Sequence, residues 1–197
     1  MDLAGGYGDV ARDGGVAMTV QSFKQQDQRA KNAGHPIMFG LPLAEHFGPF
    51  PEGGGYPHGF LRRAYSLLGV DDPSKVLHVC SGSMRIGIRV DIRVSVCPSL
   101  VAHALHLPYR DNAFRWVMAD PPYSAEYAQN LYGTGQDYPS PHALVEECLR
   151  VACVGGRVGV MHHMVPKFHK PARLLGVYGI TQGPGYNIRA WTLLEKH

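Results

Sequence analysis

The sequence predicts an α/β protein whose central sheet is mostly parallel. Short apolar runs typical of buried strands recur along the chain, and amphipathic helical segments separate some of them. The last two runs are joined by a connection too short for a helical crossover, which predicts an antiparallel hairpin at the C-terminal end of the sheet. The chain has 197 residues, of which 45% are hydrophobic and 18% charged, so one domain with a sizeable core is expected.

The N-terminal part of the chain differs in composition from the rest. Residues 1–34 are polar and rich in Gly, Gln and Asp, which predicts a flexible arm before a domain spanning 35–197; an ordered cap over a substrate is the alternative. Residues 35–58 are rich in Pro, Gly and aromatic side chains, and long irregular segments of this kind often carry function. A helix is then predicted where apolar residues recur at helical spacing before Gly69, namely at Phe60, Leu61, Ala64, Leu67 and Leu68.

Four strands are predicted in the middle of the chain: Val76–Cys80, Ile88–Val96, Leu100–Ala102 and Phe114–Ala119. The first runs into a turn of small residues, Ser81-Gly82-Ser83. Only Met84 to Arg89 separate this turn from Val90, whereas a helical crossover between parallel strands normally needs ~10–12 residues. The sheet is therefore expected to be shortened here, with a bare return loop between its first and second strands.

The C-terminal part predicts one helix and three strands. His142–Ala152 forms an amphipathic helix, which Gly155-Gly156 is expected to stop. Arg157–Met161 is the fifth strand. The last two strands, Leu174–Ile180 and Arg189–Leu194, are joined by the turn at Gly183-Pro184-Gly185 and form the hairpin.

Charge and targeting signals narrow the class of protein. The net charge of +3 permits a nucleic-acid partner without demanding one. The four cysteines include no CxxC pair, which favours a reducing compartment over a disulfide or zinc scaffold. No apolar run approaches the ~20 residues that span a bilayer, and the N-terminus lacks a signal pattern. A cytoplasmic protein without a membrane partner is expected.

The histidines do not predict a metal site. His162 and His163 follow the fifth strand, and His169 lies nearby. A metal site needs three or more convergent ligands, and no Asp, Glu or Cys is close to them in the sequence. They are expected to be polar residues at a strand end.

Three predicted strand ends carry residues suited to ligand binding, because ligands of open α/β sheets bind beyond the carboxyl ends of the strands. The turn Ser81-Gly82-Ser83 would let backbone N–H groups approach a polar ligand closely, or it is simply a tight turn. Asp91, in the second strand, could accept both hydroxyls of a ribose, although a lone Asp in a strand is otherwise more often on an exposed face.

The third strand end is the segment Asp120-Pro121-Pro122-Tyr123. Two prolines fix φ and remove two donors, so the segment cannot continue a sheet and becomes a rigid platform. The Asp120 carboxylate and the local carbonyls could accept hydrogen bonds from an amino group. Tyr123 offers a flat face on which a base can stack. A proline turn with a packed tyrosine is the alternative.

These motifs occur in the order seen in a known family. Val-Leu-His-Val-Cys-Ser-Gly-Ser, Val-Asp-Ile, Leu-Pro-Tyr-Arg-Asp-Asn-Ala-Phe, Asp-Pro-Pro-Tyr and Glu-Cys-Leu-Arg-Val before Gly-Gly follow one another between residues 76 and 158. The chain resembles the class I S-adenosylmethionine-dependent methyltransferases, which have a Rossmann-like sheet. It is most similar to the amino-methylating group with a D-P-P-Y motif, whose members methylate adenine N6 or cytosine N4. The resemblance covers roughly residues 56–195.

The resemblance implies a role for each site residue. Cys80, Ser81, Gly82 and Ser83 would line the methionine end of S-adenosylmethionine, and Asp91 would hold its ribose. His103, Ala104 and Leu105 would lie by its adenine ring. Asp120 and the Pro121 carbonyl would bind the target amine, with Pro122 holding the turn and Tyr123 stacked on the target ring.

The function implied is methyl transfer to an exocyclic amino group of a base in DNA or RNA, with adenine N6 favoured over cytosine N4. The same chemistry on a protein side chain or a small heterocycle is one alternative. A non-catalytic partner subunit that kept the fold is another, favoured by the single glycine in the cofactor loop and by His103, where the family usually has an acid. No target-recognition domain is evident, so a protein partner, a second copy of the chain, or the loops at 35–56 and 127–141 would supply recognition.

Overall fold

The computed structural model describes residues 45–49, 51, 54–169, 171–182 and 185–197. The predicted arm at residues 1–34 lies outside the described residues, as do residues 35–44 of the predicted irregular segment.

The described chain contains eight strands and three α-helices. The strands are β1 Glu45–His46, β2 Leu77–Val79, β3 Ile88–Asp91, β4 Leu100–Val101, β5 Phe114–Ala119, β6 Ala152–His162, β7 Ala172–Thr181 and β8 Arg189–Lys196. The helices are α1 Phe60–Leu68, α2 Ala125–Tyr132 and α3 Pro141–Val151. Short 3₁₀ turns lie at Pro73–Lys75, Val94–Val96 and Gly135–Asp137.

The strands form one sheet in the order β1-β7-β8-β6-β5-β2-β3-β4. Neighbouring strands are parallel except that β8 runs antiparallel to both β6 and β7. The predicted fold class, a mostly parallel Rossmann-like sheet with a C-terminal antiparallel hairpin, is confirmed. The chain order reverses beside β2, which pairs with β3 on one side and β5 on the other, and such a switch point opens a crevice at the carboxyl ends of the strands.

The connection between β2 and β3 is a bare return loop, as the sequence predicts. Residues 80–87 contain no helix, and Ile88 donates its N–H directly to the Val76 carbonyl at 2.9 Å. Gly87 makes this return possible, because its φ is +81° and a Cβ there would lie 2.6 Å from the same carbonyl. The shortened sheet predicted between these strands is therefore confirmed.

Two predicted boundaries were wrong. The second strand ends at Asp91, because the Asp91 carboxylate accepts the Arg93 N–H at 3.0 Å and turns the chain into the 3₁₀ segment Val94–Val96. Gly155-Gly156 do not stop α3, which ends at Val151. They lie inside β6, where the register with β5 shifts and Gly155 takes a φ of +72°.

Helix α2 lies where the sequence predicts a loop, at residues 127–141. Its sequence is rich in Tyr, Asn and Gln, which obscures the apolar periodicity, but both of its ends carry signals. The Ser124 hydroxyl accepts the Tyr127 N–H at 3.0 Å as an N-cap. Gly133 ends the helix in the left-handed conformation, with φ +67°.

Helices α1 and α3 cover opposite faces of the sheet. Leu77 and Val79 of β2 belong to the buried cluster that includes Leu144 and Cys148 of α3. His78 lies between them in the strand and contacts the Tyr65 hydroxyl of α1 at 3.3 Å, as the alternation of side chains along a strand requires. The sheet therefore forms the middle of three layers, and its carboxyl edge stays accessible for a site.

Candidate active site

A cavity of about 580 Å³ lies at the carboxyl edge of the sheet beside the switch point. Its walls include residues that follow four parallel strands: Cys80 and Gly82 after β2, Asp91 and Arg93 at the end of β3, His103 and Ala104 after β4, and Asp120 after β5. Gln182 and Arg189 close it from β7 and β8, and Tyr127 and Tyr132 from α2. Parallel strands thus bring residues from distant parts of the sequence into one site.

All four residues of the Asp120-Pro121-Pro122-Tyr123 segment line this cavity. The Asp120 N–H donates to the Val79 carbonyl, which continues the pairing with β2 to the last residue before the prolines. The Tyr123 hydroxyl donates to Asp120 Oδ1 at 3.0 Å. The carboxylate is therefore held in place and keeps further acceptor capacity for a ligand donor.

The pKa of Asp120 is raised from its ordinary value to about 7. Burial is the largest cause, because it penalises the charged carboxylate. The hydrogen bond from Tyr123 and the positive charge of Arg189 act in the opposite direction. At neutral pH the group therefore lies near half protonation, where a side chain can both accept and release a proton.

The Tyr123 ring is surrounded by other flat side chains. The His163 ring lies 4.2 Å from it, centroid to centroid, with an interplanar angle of 31°. The Tyr127 ring lies at 5.7 Å, and the Arg189 guanidinium carbon lies 5.4 Å from the Tyr123 centroid. One face of the predicted stacking residue is thus already occupied by His163.

Asp91 is saturated with hydrogen bonds. Its side chain is 4% exposed and forms a bidentate ion pair with Arg93, in which Nε contacts Oδ1 at 3.0 Å and the terminal nitrogen contacts Oδ2 at 3.2 Å. Oδ1 also accepts the Arg93 N–H at 3.0 Å, and Oδ2 accepts the Gly82 N–H at 2.9 Å. A carboxylate has about four lone-pair sites, so all of those on Asp91 are engaged within the protein.

Arg93 also contacts the opposite wall of the cavity. Its guanidinium carbon lies 4.3 Å from the centroid of the Tyr132 ring in α2, a cation–π arrangement. The Tyr132 hydroxyl in turn lies against Gly54. The end of β3 and the helix that follows the Asp120–Tyr123 segment are therefore linked across the cavity by one side chain.

The turn after β2 is held by its own protein contacts. The Ser81 N–H donates to Val90, and Ser83 donates both its N–H and its hydroxyl to the Gly54 carbonyl at 3.0 and 2.8 Å. Gly82 is required here, since its φ is +53° and a Cβ would lie 2.6 Å from that carbonyl. The buried Ser81 hydroxyl has no hydrogen-bond partner within the described part of the chain.

His103 is oriented by the backbone that follows it. Its Nδ1 accepts the Leu105 N–H at 3.1 Å, so the neutral ring carries its proton on Nε2. The position therefore offers a donor, where an acid would offer an acceptor.

The structure brings together nine of the twelve predicted site residues as cavity walls: Cys80, Gly82, Asp91, His103, Ala104 and the Asp120–Tyr123 segment. Ser81, Ser83 and Leu105 are their chain neighbours and are not among the described lining residues. Sequence reasoning missed Arg93 and Arg189 and interpreted His163 as a polar strand-end residue, whereas Tyr132 belongs to the 127–141 segment expected to contribute to recognition. The position of His163, directly after the strand that neighbours β5, was the available signal.

Among the described residues, no helix is both long and apolar enough to cross a bilayer. Neither a known protein family nor any curated protein sequence matches the chain.

Comparison with solved structures gives distant likenesses. TrmN from Thermus thermophilus is 17% identical with a TM-score of 0.49, and the alignment covers 69% of this chain and 48% of TrmN. The [4+2]-cyclase SpnF is 14% identical with a TM-score of 0.49, covering 90% of this chain and 96% of SpnF. Geranyl diphosphate C-methyltransferase from Streptomyces coelicolor A3(2) is 14% identical with a TM-score of 0.47, covering 87% of this chain and 98% of that enzyme. The chain thus spans about half the length of TrmN.

Proposed function

We propose that this chain is an S-adenosylmethionine-dependent methyltransferase that acts on an exocyclic amino group of a nucleic-acid base, with adenine N6 favoured over cytosine N4. The observation that carries the proposal is that the Asp120–Tyr123 segment and the ends of β2 and β3 line the same cavity. Groups suited to a target amine and groups suited to a nucleoside cofactor therefore lie within reach of each other.

The residues present fit such a cofactor. The cavity of about 580 Å³ lies within the range of ~300–1,000 Å³ found for small-molecule sites. The unpartnered Ser81 hydroxyl is buried in the turn beside it, and Ile92, His103 and Ala104 are among its lining residues. S-adenosylmethionine, when bound, supplies the methyl group of its sulfonium and leaves as S-adenosylhomocysteine.

Asp120 has two tasks in this reaction. Its carboxylate accepts a hydrogen bond from the target amine, which orients the nitrogen lone pair for in-line attack. Transfer of a methyl group to that nitrogen would leave it positively charged. The fixed carboxylate stabilises this charge and then takes the surplus proton, which a group with a pKa of about 7 can pass on to water.

The substrate end of the cavity favours a flat, polar ring. Tyr123 and Tyr127 contribute aromatic surface there, and Arg189 contributes a positive charge. Stacking on aromatic side chains combined with a nearby cation is the usual way of holding an unpaired base and its phosphate. The net charge of +3 is compatible with a nucleic-acid substrate.

The test is methyl transfer from isotopically labelled S-adenosylmethionine to single- and double-stranded DNA and RNA, followed by nucleoside mass spectrometry. We expect N6-methyladenosine or its deoxy form with the unaltered chain and none with Asp120→Asn. Asp71→Asn is the matched control, because Asp71 is an exposed acid that does not line the cavity. Binding of the cofactor without methylation of any nucleic acid would overturn the substrate assignment.

A second candidate function is a non-catalytic subunit that keeps the methyltransferase fold. The saturation of Asp91 by Arg93 and Gly82 favours it, because a ribose finds no free acceptor there unless Arg93 leaves. A calorimetric titration with S-adenosylhomocysteine separates the two candidates. Absence of binding both to the unaltered chain and to Arg93→Ala would establish the non-catalytic alternative.

A further inference from the structure

A cluster of metal-binding side chains lies outside the cavity walls, at the start of α3. His142 and Glu146 lie one helical turn apart and therefore share a face of α3. His169 reaches them from the segment that follows β6. Each of the three residues offers one ligand atom, and these atoms all lie within 4.8 Å of one another.

The backbone around the cluster orients its side chains. His142 Nδ1 lies 3.1 Å from the Lys167 carbonyl and 3.9 Å from Glu146 Oε1, which places the ring between the segment after β6 and the acid. Glu146 Oε1 accepts the His169 backbone N–H at 3.1 Å and lies 3.5 Å from His169 Nδ1. Carbonyl and N–H contacts of this kind fix the orientation of imidazole and carboxylate ligands in metal sites.

We propose that His142, Glu146 and His169 bind one Zn²⁺ ion. Two imidazoles and one carboxylate are a recurring donor set for zinc, with the fourth position left to water. Tetrahedral bonds of ~2.0–2.1 Å place zinc ligands about 3.3 Å apart, and the Glu146–His169 pair is already at 3.5 Å. The three side chains are 44%, 42% and 70% exposed, so an ion and its water can reach them from solvent.

A bound ion would restrain the segment that carries His163. Residues 163–169 have no helix or strand and connect the end of β6 to this cluster. At one end of the segment the His163 ring lies on Tyr123 at 4.2 Å. At the other end, Lys167 and His169 contact α3 through the hydrogen bonds described above and through the His142–His169 ring contact at 4.8 Å, centroid to centroid, and Phe168 between them packs against the core. Zinc therefore joins α3 to a segment that borders the substrate end of the cavity.

The experiment is isothermal titration of tag-free, chelator-treated protein with zinc chloride, in the absence of cofactor or nucleic acid. We expect one ion per chain, with affinity lowered at least tenfold in His169→Ala and in Glu146→Gln. His106→Ala removes another exposed histidine and is the control, for which unchanged affinity is expected. Circular dichroism of each variant establishes that it is folded.

Hydrogen exchange followed by mass spectrometry tests whether zinc restrains residues 163–169. Zinc is expected to slow exchange in residues 163–169 of the unaltered chain and not in His169→Ala. No zinc binding by the unaltered chain, or equal affinity in His169→Ala and Glu146→Gln, would overturn the site and leave a simple His–Glu ion pair. Because no step depends on S-adenosylmethionine, these results stand or fall separately from the proposed methyl transfer.

Discussion

Replacing Arg93 by Ala should tighten binding of the cofactor product S-adenosylhomocysteine. In the structure the guanidinium occupies one lone-pair site on each oxygen of Asp91. The two neighbouring hydroxyls of a ribose need the same two sites. Arg93 therefore competes with the ribose from within the protein, and removing its side chain removes the competitor while both backbone N–H contacts to Asp91 remain.

The expected gain in affinity depends on the contacts of Arg93 that binding of S-adenosylhomocysteine has to break. Arg93 is 16% exposed and Asp91 4%, so the pair is partly screened, and a hydrogen bond to a charged group contributes ~1.5–3 kcal/mol. The stack on Tyr132 adds ~0.5–1 kcal/mol at an accessible site. The ribose hydroxyls replace most of the contacts that Asp91 loses when Arg93 is displaced. We therefore expect displacement to cost the unaltered chain a net ~1.5–3 kcal/mol of binding free energy, so that Arg93→Ala binds about 10- to 150-fold more tightly.

The assay is calorimetric titration of S-adenosylhomocysteine into the unaltered chain, Arg93→Ala and Arg93→Gln. Arg115→Ala is the matched control, because Arg115 also stacks on an aromatic ring, that of Trp116, but does not line the cavity. Tyr132→Leu should give a smaller gain, since it removes only the stack. Weaker binding by both Arg93 variants would refute the competition and show that Arg93 holds the cofactor itself.

Three further predictions concern Asp120 and the core. The rate of methyl transfer should rise with pH through about 7, because the carboxylate form of Asp120 must accept the proton; a flat profile between pH 6 and 8 in initial-rate measurements would contradict this role. A carboxyl whose folded pKa is raised from 3.8 to about 7 costs stability progressively as pH rises through that window. Asp120→Asn should therefore raise the melting temperature at pH 8 and leave it nearly unchanged at pH 4, and equal melting temperatures at pH 8 would count against the burial argument. Gly159→Ala should destabilise the fold by roughly 3 kcal/mol or more, at the upper end of single-mutation effects, because a Cβ there would lie 2.1 Å from the Trp191 ring. Urea denaturation measures this change, and an unchanged midpoint would refute the contact; Gly133→Ala is the comparison, because a Cβ there meets nothing within 4 Å and only the left-handed φ of +67° adds a cost.

The sequence is most informative where burial is continuous. Strand β5 has the predicted bounds, Phe114–Ala119, because an apolar run broken only by the exposed Arg115, with a proline pair soon after it, admits few alternatives. The second strand was predicted too long, since the β-branched residues Val94 and Val96 favour a strand while the Asp91 side chain bends the chain before them. The turn that the Asp91 side chain forms rests on a single residue, which is a weaker sequence signal than the β-branched residues around it.

In the candidate site, too, the residues at the ends of evident strands were predictable and those that depend on tertiary contacts were not. Asp120–Tyr123 and Asp91 were predicted because each follows or ends a strand that is evident in the sequence. Arg93 could be seen as a neighbour of Asp91, but not as its partner, because the ion pair and the contact with Tyr132 depend on how two distant segments close around a cavity. Identifying His163 and Arg189 required the sheet order, which places β6 beside β5 and β8 beside β6.

The bare loop between β2 and β3 also bears on the order in which the chain folds. Leu77 pairs with Ile88, eleven residues later, whereas its other neighbour in the sheet, Val117, is forty residues away. Closing the shorter loop costs about 1 kcal/mol less conformational entropy, since the cost grows with the logarithm of loop length. The turn after β2 is therefore expected to be native-like early in folding, with φ-values in β3 above those in β6. Strand β5, which carries Asp120 at its end, would then pair with β2 after that turn has formed.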